Sequence, residues 1–173
     1  MTPSSADVTC QLRRATQADR PAMADLWVAS WVKTLPEIDF SARRPWLESH
    51  LDQLVAQGAC IVVAQMPGAE GACMEGSFVV AGFVVIHPGT GYLDQLAVHP
   101  SFWGQGVAEV LMAGARKVSP SLVALDVNRE NPRAVRFYEK MGLKIVGEGA
   151  NPASGRLTYR MEWRPDPDEI EDI

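Results

Sequence analysis

The segment that most constrains this sequence joins a strand to a helix through two glycines. The predicted strand ends near Val98, the turn reads Trp103-Gly104-Gln105-Gly106-Val107-Ala108, and apolar residues then recur at helical spacing until Val118. A helix that starts in such a turn presents unpaired N–H groups and the positive end of its dipole, and the glycines let an anion approach closely. The turn therefore predicts a site for a phosphate or pyrophosphate.

The residues around this turn distinguish it from two other kinds of nucleotide-binding loop. Gly104 and Gly106 begin the G-x-G-x-x-G pattern of dinucleotide-binding folds, and Asp126 lies near a later strand end, where a ribose-binding acid is expected. However, Glu109 occupies the third glycine position, and antiparallel strands upstream leave too little chain for a doubly wound sheet. A Walker A loop is excluded because G-K-[ST] is missing. A plain tight connection stays open for the turn taken alone.

Apolar periodicity and turn residues divide the chain into strands and helices in the order β-α-α-β-β-β-α-β-α-β-β, without an internal repeat. This order predicts a mixed α/β fold. One helix has clear end signals, with Asn131 as cap, Pro132 at the first position and Gly142 after the last turn. The predicted strands are 8–13, 59–65, 77–87, 91–98, 121–127, 143–148 and 156–163. The first helix follows a cap at Asp19, the next two are 42–57 and 105–118, and the fourth lies between its cap at Asn131 and Gly142.

Length and composition are those of one globular domain. The 173 residues are 47% hydrophobic and 21% charged, which suffices to bury a core. Residues 1–7 are predicted to be a flexible end, 8–163 a single domain and 164–173 an acidic tail. Five acids and one arginine give that tail most of the net charge of -5. A nearly neutral body argues against binding to nucleic acid or to an anionic membrane surface.

Neither a membrane segment nor a metal site is expected. The longest apolar run, 78–86, is far shorter than the roughly 20 residues that a spanning helix needs, and residues 1–10 lack the pattern of a secretory signal. We therefore expect a cytoplasmic protein. Cys10, Cys60 and Cys73 are widely spaced, with no C-x-x-C pair and no nearby histidine cluster, so neither a disulfide framework nor a zinc site is indicated.

Three segments of the second half together resemble a known family. They are 93–100 (L-D-Q-L-A-V-H-P), 103–108 (W-G-Q-G-V-A) and 125–143 (L-D-V-N-x-x-N-P-x-A-x-x-F-Y-x-x-x-G-L). They closely resemble the GNAT family of N-acetyltransferases, motif by motif over 91–147 and in element order from 8 to 163. The resemblance implies one central, mixed, mostly antiparallel sheet of about seven strands, flanked by four helices and splayed between the fourth and fifth strands.

The resemblance also implies acetyl-CoA as co-substrate. The family turn follows the pattern [Q/R]-x-x-G-x-[G/A], and Gly106 and Ala108 match its last two places. The first place holds Trp103 instead of Gln or Arg, which removes a polar side chain but no backbone donor. Pantetheine would lie in the splay, and Asn131 would contact the cofactor in addition to capping its helix. The expected cofactor-binding residues are Leu96, Ala97, Val98, Trp103, Gly104, Gln105, Gly106, Val107, Ala108, Asn131 and Tyr138.

Acetyl transfer to an amine needs a free lone pair, a polarised thioester carbonyl and an acid for the thiolate. Tyr138 matches the family tyrosine that protonates the thiolate, although its spacing also suits a core aromatic. A backbone N–H near Val98 would polarise the carbonyl. Asp94 and Asp126 are the candidate bases, acting directly or through water, with a preference for Asp126. Each could instead be a solvated or structural carboxylate. His87 and His99 adjoin prolines and are interpreted as turn residues.

Aromatic and apolar residues around the first two helices predict the acceptor site. Trp31, Leu35 and Phe40 are the candidates, and a homodimer interface would use the same kind of surface. The sequence thus predicts an acetyl-CoA-dependent N-acetyltransferase that modifies a primary amine of a small molecule, amino acid, peptide or protein. The alternative is a non-catalytic acyl-CoA-binding or sensing module, because Trp103 replaces Gln or Arg and no clear glutamate base is present.

Overall fold

The structure, a computed structural model, describes residues 10–68 and 77–169. Outside this range lie the predicted flexible end at 1–7, residues 69–76 with Cys73, between the predicted strands 59–65 and 77–87, and the last four residues of the acidic tail. The strands are β1 (Gln11–Arg14), β2 (Cys60–Pro67), β3 (Phe78–Ile86), β4 (Leu93–Val98), β5 (Val123–Asn128), β6 (Lys144–Ala150) and β7 (Leu157–Trp163), and the helices are α1 (Arg20–Thr34), α2 (Arg44–Ala56), α3 (Val107–Val118) and α4 (Pro132–Lys140).

The strands form two antiparallel sheets. Strand order is β1-β2-β3-β4 in the first sheet and β5-β7-β6 in the second. Within the described residues, a single parallel bridge between Tyr92 and Ala124 joins β4 to β5. The mixed α/β fold with seven strands and four helices is confirmed, and the splay after the fourth strand divides the expected single sheet into two hydrogen-bonded sheets.

The bridge between the sheets depends on a glycine. The amide of Ala124 donates to the carbonyl of Gly91 over 2.9 Å. Gly91 has φ +73, and a Cβ there would lie 2.3 Å from the carbonyl oxygen of Leu122. Only glycine tolerates both the left-handed conformation and this close approach. Gly91 therefore fixes the point from which the two sheets diverge.

Two buried clusters hold helices on the sheets. One joins α3 and α4 to strands of both sheets and includes the fully buried Leu111, Met112 and Met161. The other packs α1 and α2 on β2, β3 and β4 of the first sheet. On β5, Leu125 and Val127 are buried towards α3 and α4, so Asp126 faces the opposite side, the side on which α1 and α2 lie.

The clearest sequence signals sit at the ends of α4. The Asn131 side chain accepts a hydrogen bond from the amide of Ala134 over 3.2 Å, and Pro132 occupies the first turn. Gly142 follows with φ +89. The predicted cap and stop are both present, so α4 starts at the mouth of the splay. In the part of the chain that the structure describes, no helix combines the length and apolar character needed to cross a membrane.

Candidate functional site

A cleft of about 610 Å³ opens where β4 and β5 diverge. Its walls come from the end of β4, the turn before α3, the second half of α1 and the first half of α4. All of the predicted cofactor-binding residues except Gln105 line this cleft. The exposed Gln105 side chain instead donates to the carbonyl of Ser101 over 3.1 Å.

The turn before α3 has the geometry of an anion site. Gly104 and Gly106 have φ +78 and +82, and Gly106 is the N-cap of α3. The amides of Val107 and Ala108 lie in the first turn, where no intrahelical acceptor exists. A Cβ on either glycine would meet nothing within 4 Å, so packing does not demand these glycines. The left-handed backbone conformation is what requires glycine here, and it aims unpaired N–H groups at the cleft.

Strand β4 presents backbone groups to the same cleft. The amide of His99 bonds to Ala81, and Val98 lies opposite Gly82. In an antiparallel ladder this pattern turns the N–H and C=O of Val98 away from β3 and into the splay. The carbonyl of Val98 accepts from Nε1 of Trp103 over 2.8 Å. Its N–H therefore stays available as the backbone donor expected beside the thioester.

Trp103 lies between two positive charges. The Arg133 guanidinium, from α4, is 4.4 Å from the ring centroid, and the Lys33 ammonium, from α1, is 5.8 Å from it. All three side chains line the cleft. The Trp103 ring thus contacts a cation from each of the two neighbouring helices, beside the Gly104–Ala108 turn. In a chain with net charge -5, this local charge favours an anionic ligand.

Tyr138 lines the cleft from α4 and packs on the shared core beside Phe137, with the ring centroids 5.3 Å apart. Burial raises the pKa of Tyr138. A raised pKa keeps the phenol protonated at neutral pH, as a proton donor requires. The position and protonation of Tyr138 agree with the predicted role, which stays a prediction.

The two predicted bases are not among the residues that line the cleft. Asp126 is 41% exposed, accepts from the Tyr92 hydroxyl over 2.9 Å and lies 3.6 Å from Nη1 of Arg160. Asp94 is 17% exposed and lies 2.7 Å from Nε2 of His50. Burial raises the pKa of Tyr92, and its hydrogen bond to Asp126 and the charges of both aspartates raise it further. Asp126 thus contacts Tyr92 at the closed end of the splay, whereas Asp94 contacts His50 of α2.

Two of the three predicted acceptor residues line the cleft, and the third is buried in the core. Trp31 and Leu35 line the cleft, and their contact with the acceptor stays a prediction. Phe40 is 4% exposed and stacks beneath Trp31, with centroids 5.3 Å apart and planes 16° from parallel. The expectation that Phe40 lines the acceptor site is corrected: a large aromatic side chain in the α1–α2 linker is buried as a support for Trp31.

Sequence reasoning missed three residues of this region. Lys33 and Arg133 are charged residues on helix surfaces, and nothing in the sequence joins them to Trp103. His50 lies on α2, and its partner Asp94 is 44 residues away. A helical spacing of four residues between Trp46 and His50 was the one available signal.

An α/β fold whose middle strands diverge around a helix N-terminal anion site defines the class of GNAT-fold proteins. Residues 20–143 match the model of the Acetyltransferase (GNAT) family. The match covers well over half of the chain, and the protein belongs to this family.

Two curated relatives are peptidyl-lysine N-acetyltransferases. YiaC of Escherichia coli is 26% identical over 152 residues, which is 88% of this chain and 95% of that protein. YjaB of Salmonella typhimurium is 39% identical over 56 residues, which is 32% of this chain and 38% of YjaB. The more similar relative is therefore matched over well under half of its own length.

Solved structures share the whole fold. The PaiA N-acetyltransferase of Thermoplasma acidophilum, in complex with coenzyme A, superposes with a TM-score of 0.69 at 17% identity, covering 91% of this chain and 99% of that one. The apo form of Escherichia coli YjaB gives 0.65 at 21% identity, covering 90% and 97%. At these identities the likeness concerns the fold.

Proposed function

We propose that the protein is an acetyl-CoA-dependent N-acetyltransferase whose acceptor is the primary amine of a lysine side chain in a peptide or protein. The observation that carries the proposal is the cleft in the splay, which has unpaired turn amides at one end and the Tyr138 phenol along its wall. The names of the curated relatives support a peptidyl-lysine acceptor. Family membership supports acetyl-CoA as the donor.

The cleft has groups that suit both the pyrophosphate and the pantetheine of acetyl-CoA. The pyrophosphate would bind the amides of the Gly104–Ala108 turn, with Arg133 and Lys33 as the nearby cations. Pantetheine would follow the free edge of β4, where alternate backbone groups face the splay. This path leads from the phosphate-binding turn towards Val98 and Tyr138.

The chemistry is a direct transfer. The amine nitrogen attacks the thioester carbonyl, a C–N bond forms, and the C–S bond breaks. The Val98 N–H would polarise the carbonyl, and Tyr138 would protonate the departing sulfur. The acceptor ammonium group loses two protons in all, of which one goes to solvent and the other restores the phenol of Tyr138, so the products are the acetamide and the free thiol of coenzyme A.

A non-catalytic acyl-CoA-binding module is the second candidate. The observation that favours it is the absence of both predicted carboxylates from the cleft wall. Its ligand would use the same turn and the same strand edge, so binding alone does not distinguish the two candidates. The predicted cytoplasmic location and homodimer do not bear on this distinction and stay predictions.

Thiol release tests the proposal. Purified protein is incubated with acetyl-CoA and with lysine peptides blocked at the N-terminus, free lysine, polyamines or peptides with a free N-terminus, and calorimetry measures acetyl-CoA binding in parallel. We expect thiol release with the lysine peptides and a mass gain of one acetyl group on the lysine. Binding without turnover across the panel would favour the sensing module, and absence of binding would contradict both candidates.

A further inference from the structure

The side chain of Trp103 connects the glycine turn that begins α3 to the end of strand β4. Its Nε1 donates a hydrogen bond to the carbonyl of Val98 over 2.8 Å, and both residues line the cleft. Trp103 directly precedes Gly104, whereas Val98 is the last residue of β4. The indole therefore joins two groups with different proposed roles, the turn amides that would bind the pyrophosphate and the strand end that would face the thioester.

The backbone between these two groups is held by local hydrogen bonds. The amide of His99 donates to β3 over 2.8 Å, and Nδ1 of His99 accepts from the amide of Ser101 over 3.0 Å. One turn of 3-10 helix follows at Pro100–Phe102, and the amide of Trp103 donates to the carbonyl of Pro100 over 3.2 Å. The hydrogen bond from the indole closes this loop, so the strand end and the glycine turn form one unit.

The carbonyl of Val98 needs a partner from outside the sheet. Strand β4 is the edge of the first sheet, and the ladder to β3 turns the N–H and C=O of Val98 into the splay. Val98 is buried, and an unpaired carbonyl on a buried residue is costly. The indole N–H of Trp103 supplies the partner and leaves the Val98 N–H to the cofactor.

The ring of Trp103 belongs to the phosphate side of the same unit. The Arg133 guanidinium lies 4.4 Å from the ring centroid, and the Lys33 ammonium lies 5.8 Å from it. The family pattern has Gln or Arg at this position, and those side chains lose more rotamer freedom than an indole when they are fixed. Trp103 thus combines in one rigid side chain a donor to the strand and an aromatic face for two cations.

We propose that Trp103 is a positioning residue whose hydrogen bond to Val98 couples the pyrophosphate half of the cofactor site to the thioester half. This proposal rests on the proposed transfer from acetyl-CoA. A ligand anchored at one half gains the other as an intramolecular contact, and the gain depends on how rigidly the two halves are held. Without the hydrogen bond, each half still binds its own part of the ligand, but a bound pyrophosphate no longer places the thioester at Val98.

Trp103→Phe tests this coupling, because phenylalanine keeps an aromatic face for Arg133 and removes the N–H. Trp27→Phe is the matched control: Nε1 of Trp27 donates to Gln95 over 3.2 Å, and Trp27 is buried and is not among the residues that line the cleft. Thiol release with a blocked lysine peptide compares two donors, acetyl-CoA and acetyl-pantetheine, which is the same thioester without the nucleotide and its pyrophosphate. Calorimetry gives the affinity of each variant for coenzyme A without any turnover.

The expected results differ between the two donors. Trp103→Phe should lower kcat/KM for acetyl-CoA and the affinity for coenzyme A by about 3- to 10-fold each, the range expected for the loss of one hydrogen bond. For acetyl-pantetheine, kcat/KM should stay within about 1.5-fold of wild type, since this donor has no pyrophosphate to anchor. Trp27→Phe should change none of these quantities, although it also loses an indole hydrogen bond.

A measurement on the wild-type protein does not depend on how the variants fold. NMR gives the rate at which each indole N–H exchanges with water. Trp46 is the internal reference, because it is 52% exposed and its Nε1 has no hydrogen-bond partner among the described residues. The indole N–H of Trp103 should exchange at least about 10-fold more slowly than that of Trp46. Equal rates would show that the hydrogen bond to Val98 does not persist in solution, and would overturn the proposal.

The kinetic and binding results can overturn the coupling in three further ways. A folded Trp103→Phe protein with wild-type kcat/KM for acetyl-CoA and wild-type affinity shows that neither depends on the hydrogen bond. An equal loss with both donors shows that Trp103 supports the strand end locally and does not join the two halves. An equal loss in Trp27→Phe shows a general effect of lost packing.

Failure of the proposed function gives a different result. A wild-type protein that binds coenzyme A but releases no thiol with any amine contradicts the proposed transfer, and the affinities of the two variants then decide the coupling alone. Wild-type turnover together with an unchanged Trp103→Phe protein overturns the coupling and leaves the proposed function standing.

Discussion

Replacing Gly106 by alanine separates cofactor binding from folding, and Gly58 provides the matched control. Gly106 has φ +82 and Gly58 has φ +95, and a Cβ at either position would meet nothing within 4 Å. The two substitutions therefore impose the same kind of strain without a steric clash. Gly106 lines the cleft, whereas Gly58 follows α2 and is not among the cleft residues.

The cost in stability follows from the backbone conformation. An L-residue in the left-handed region costs roughly 1–2 kcal/mol, and for a domain of this length 1 kcal/mol lowers Tm by about 2–4 °C. Both variants should lose similar stability and stay folded, since domains are stable by roughly 5–15 kcal/mol.

Only the Gly106→Ala variant should lose affinity for coenzyme A. A methyl group at the N-cap stands where the phosphate oxygens approach the turn amides, or forces the turn out of the conformation that aims them. A hydrogen bond to a charged group contributes about 1.5–3 kcal/mol, so losing one raises Kd by about 10- to 150-fold. Gly58→Ala should leave Kd unchanged.

Isothermal calorimetry with coenzyme A gives both affinities, and thermal unfolding followed by circular dichroism gives both stabilities. Equal affinities in the two folded variants would refute the assignment of the pyrophosphate to this turn. A Gly106→Ala protein that is much less stable than Gly58→Ala would show that Gly106 has a packing role that its open surroundings do not reveal.

Three further predictions concern other groups. Tyr138→Phe should lower kcat by roughly 10²–10⁴-fold at unchanged coenzyme A affinity, and wild-type turnover would reduce Tyr138 to a packing residue. Arg133→Met should weaken coenzyme A binding by up to about fivefold and reduce its salt dependence, whereas the exposed Arg136→Met on the same helix should do neither. The Arg13 guanidinium lowers the pKa of the largely buried Asp19 from 3.8 to about 2. The ionised carboxylate therefore adds about 2 kcal/mol to the free energy of unfolding above pH 3.8, and this contribution is lost as the pH falls towards 2. Urea unfolding of wild type and Asp19→Asn between pH 5 and 2 should show that difference shrink, and a constant difference would contradict the ion pair as its source.

Local signals in the sequence were enough for the ends of α4 and for the glycine turn from which α3 starts. Asn131 and Gly142 act through their own backbone surroundings, so their identities alone report the cap and the stop. The splay was inferred from the family resemblance. The point at which the splay begins depends on the close approach of Gly91 to Leu122, and no local pattern encodes the approach of these two segments.

The side-chain contacts between the first sheet and the helices α1 and α2 were less accessible to prediction. Asp94 points towards α2 because of a bulge, and a bulge shifts the register that alternation arguments assume. His50 meets Asp94 only through the packing of α2 on the first sheet. The burial of Phe40 likewise depends on its packing against Trp27 and Trp31. The sequence showed that Phe40 is apolar, but not whether its side chain lines the cleft or lies in the core behind Trp31.

Division of the strands into two sheets has a consequence for how a cofactor enters and leaves. Among the described strands, one bridge at Tyr92 and Ala124 connects the two hydrogen-bond networks. A rotation of one sheet against the other about the Gly91 contact therefore breaks no ladder within either sheet and is resisted mainly by the core under α3 and α4. We expect ligand exchange to proceed by this rotation, without local unfolding of a strand. A ligand that spans both walls opposes the rotation, so bound coenzyme A should slow amide hydrogen exchange at the bridge more than in the middle of either sheet.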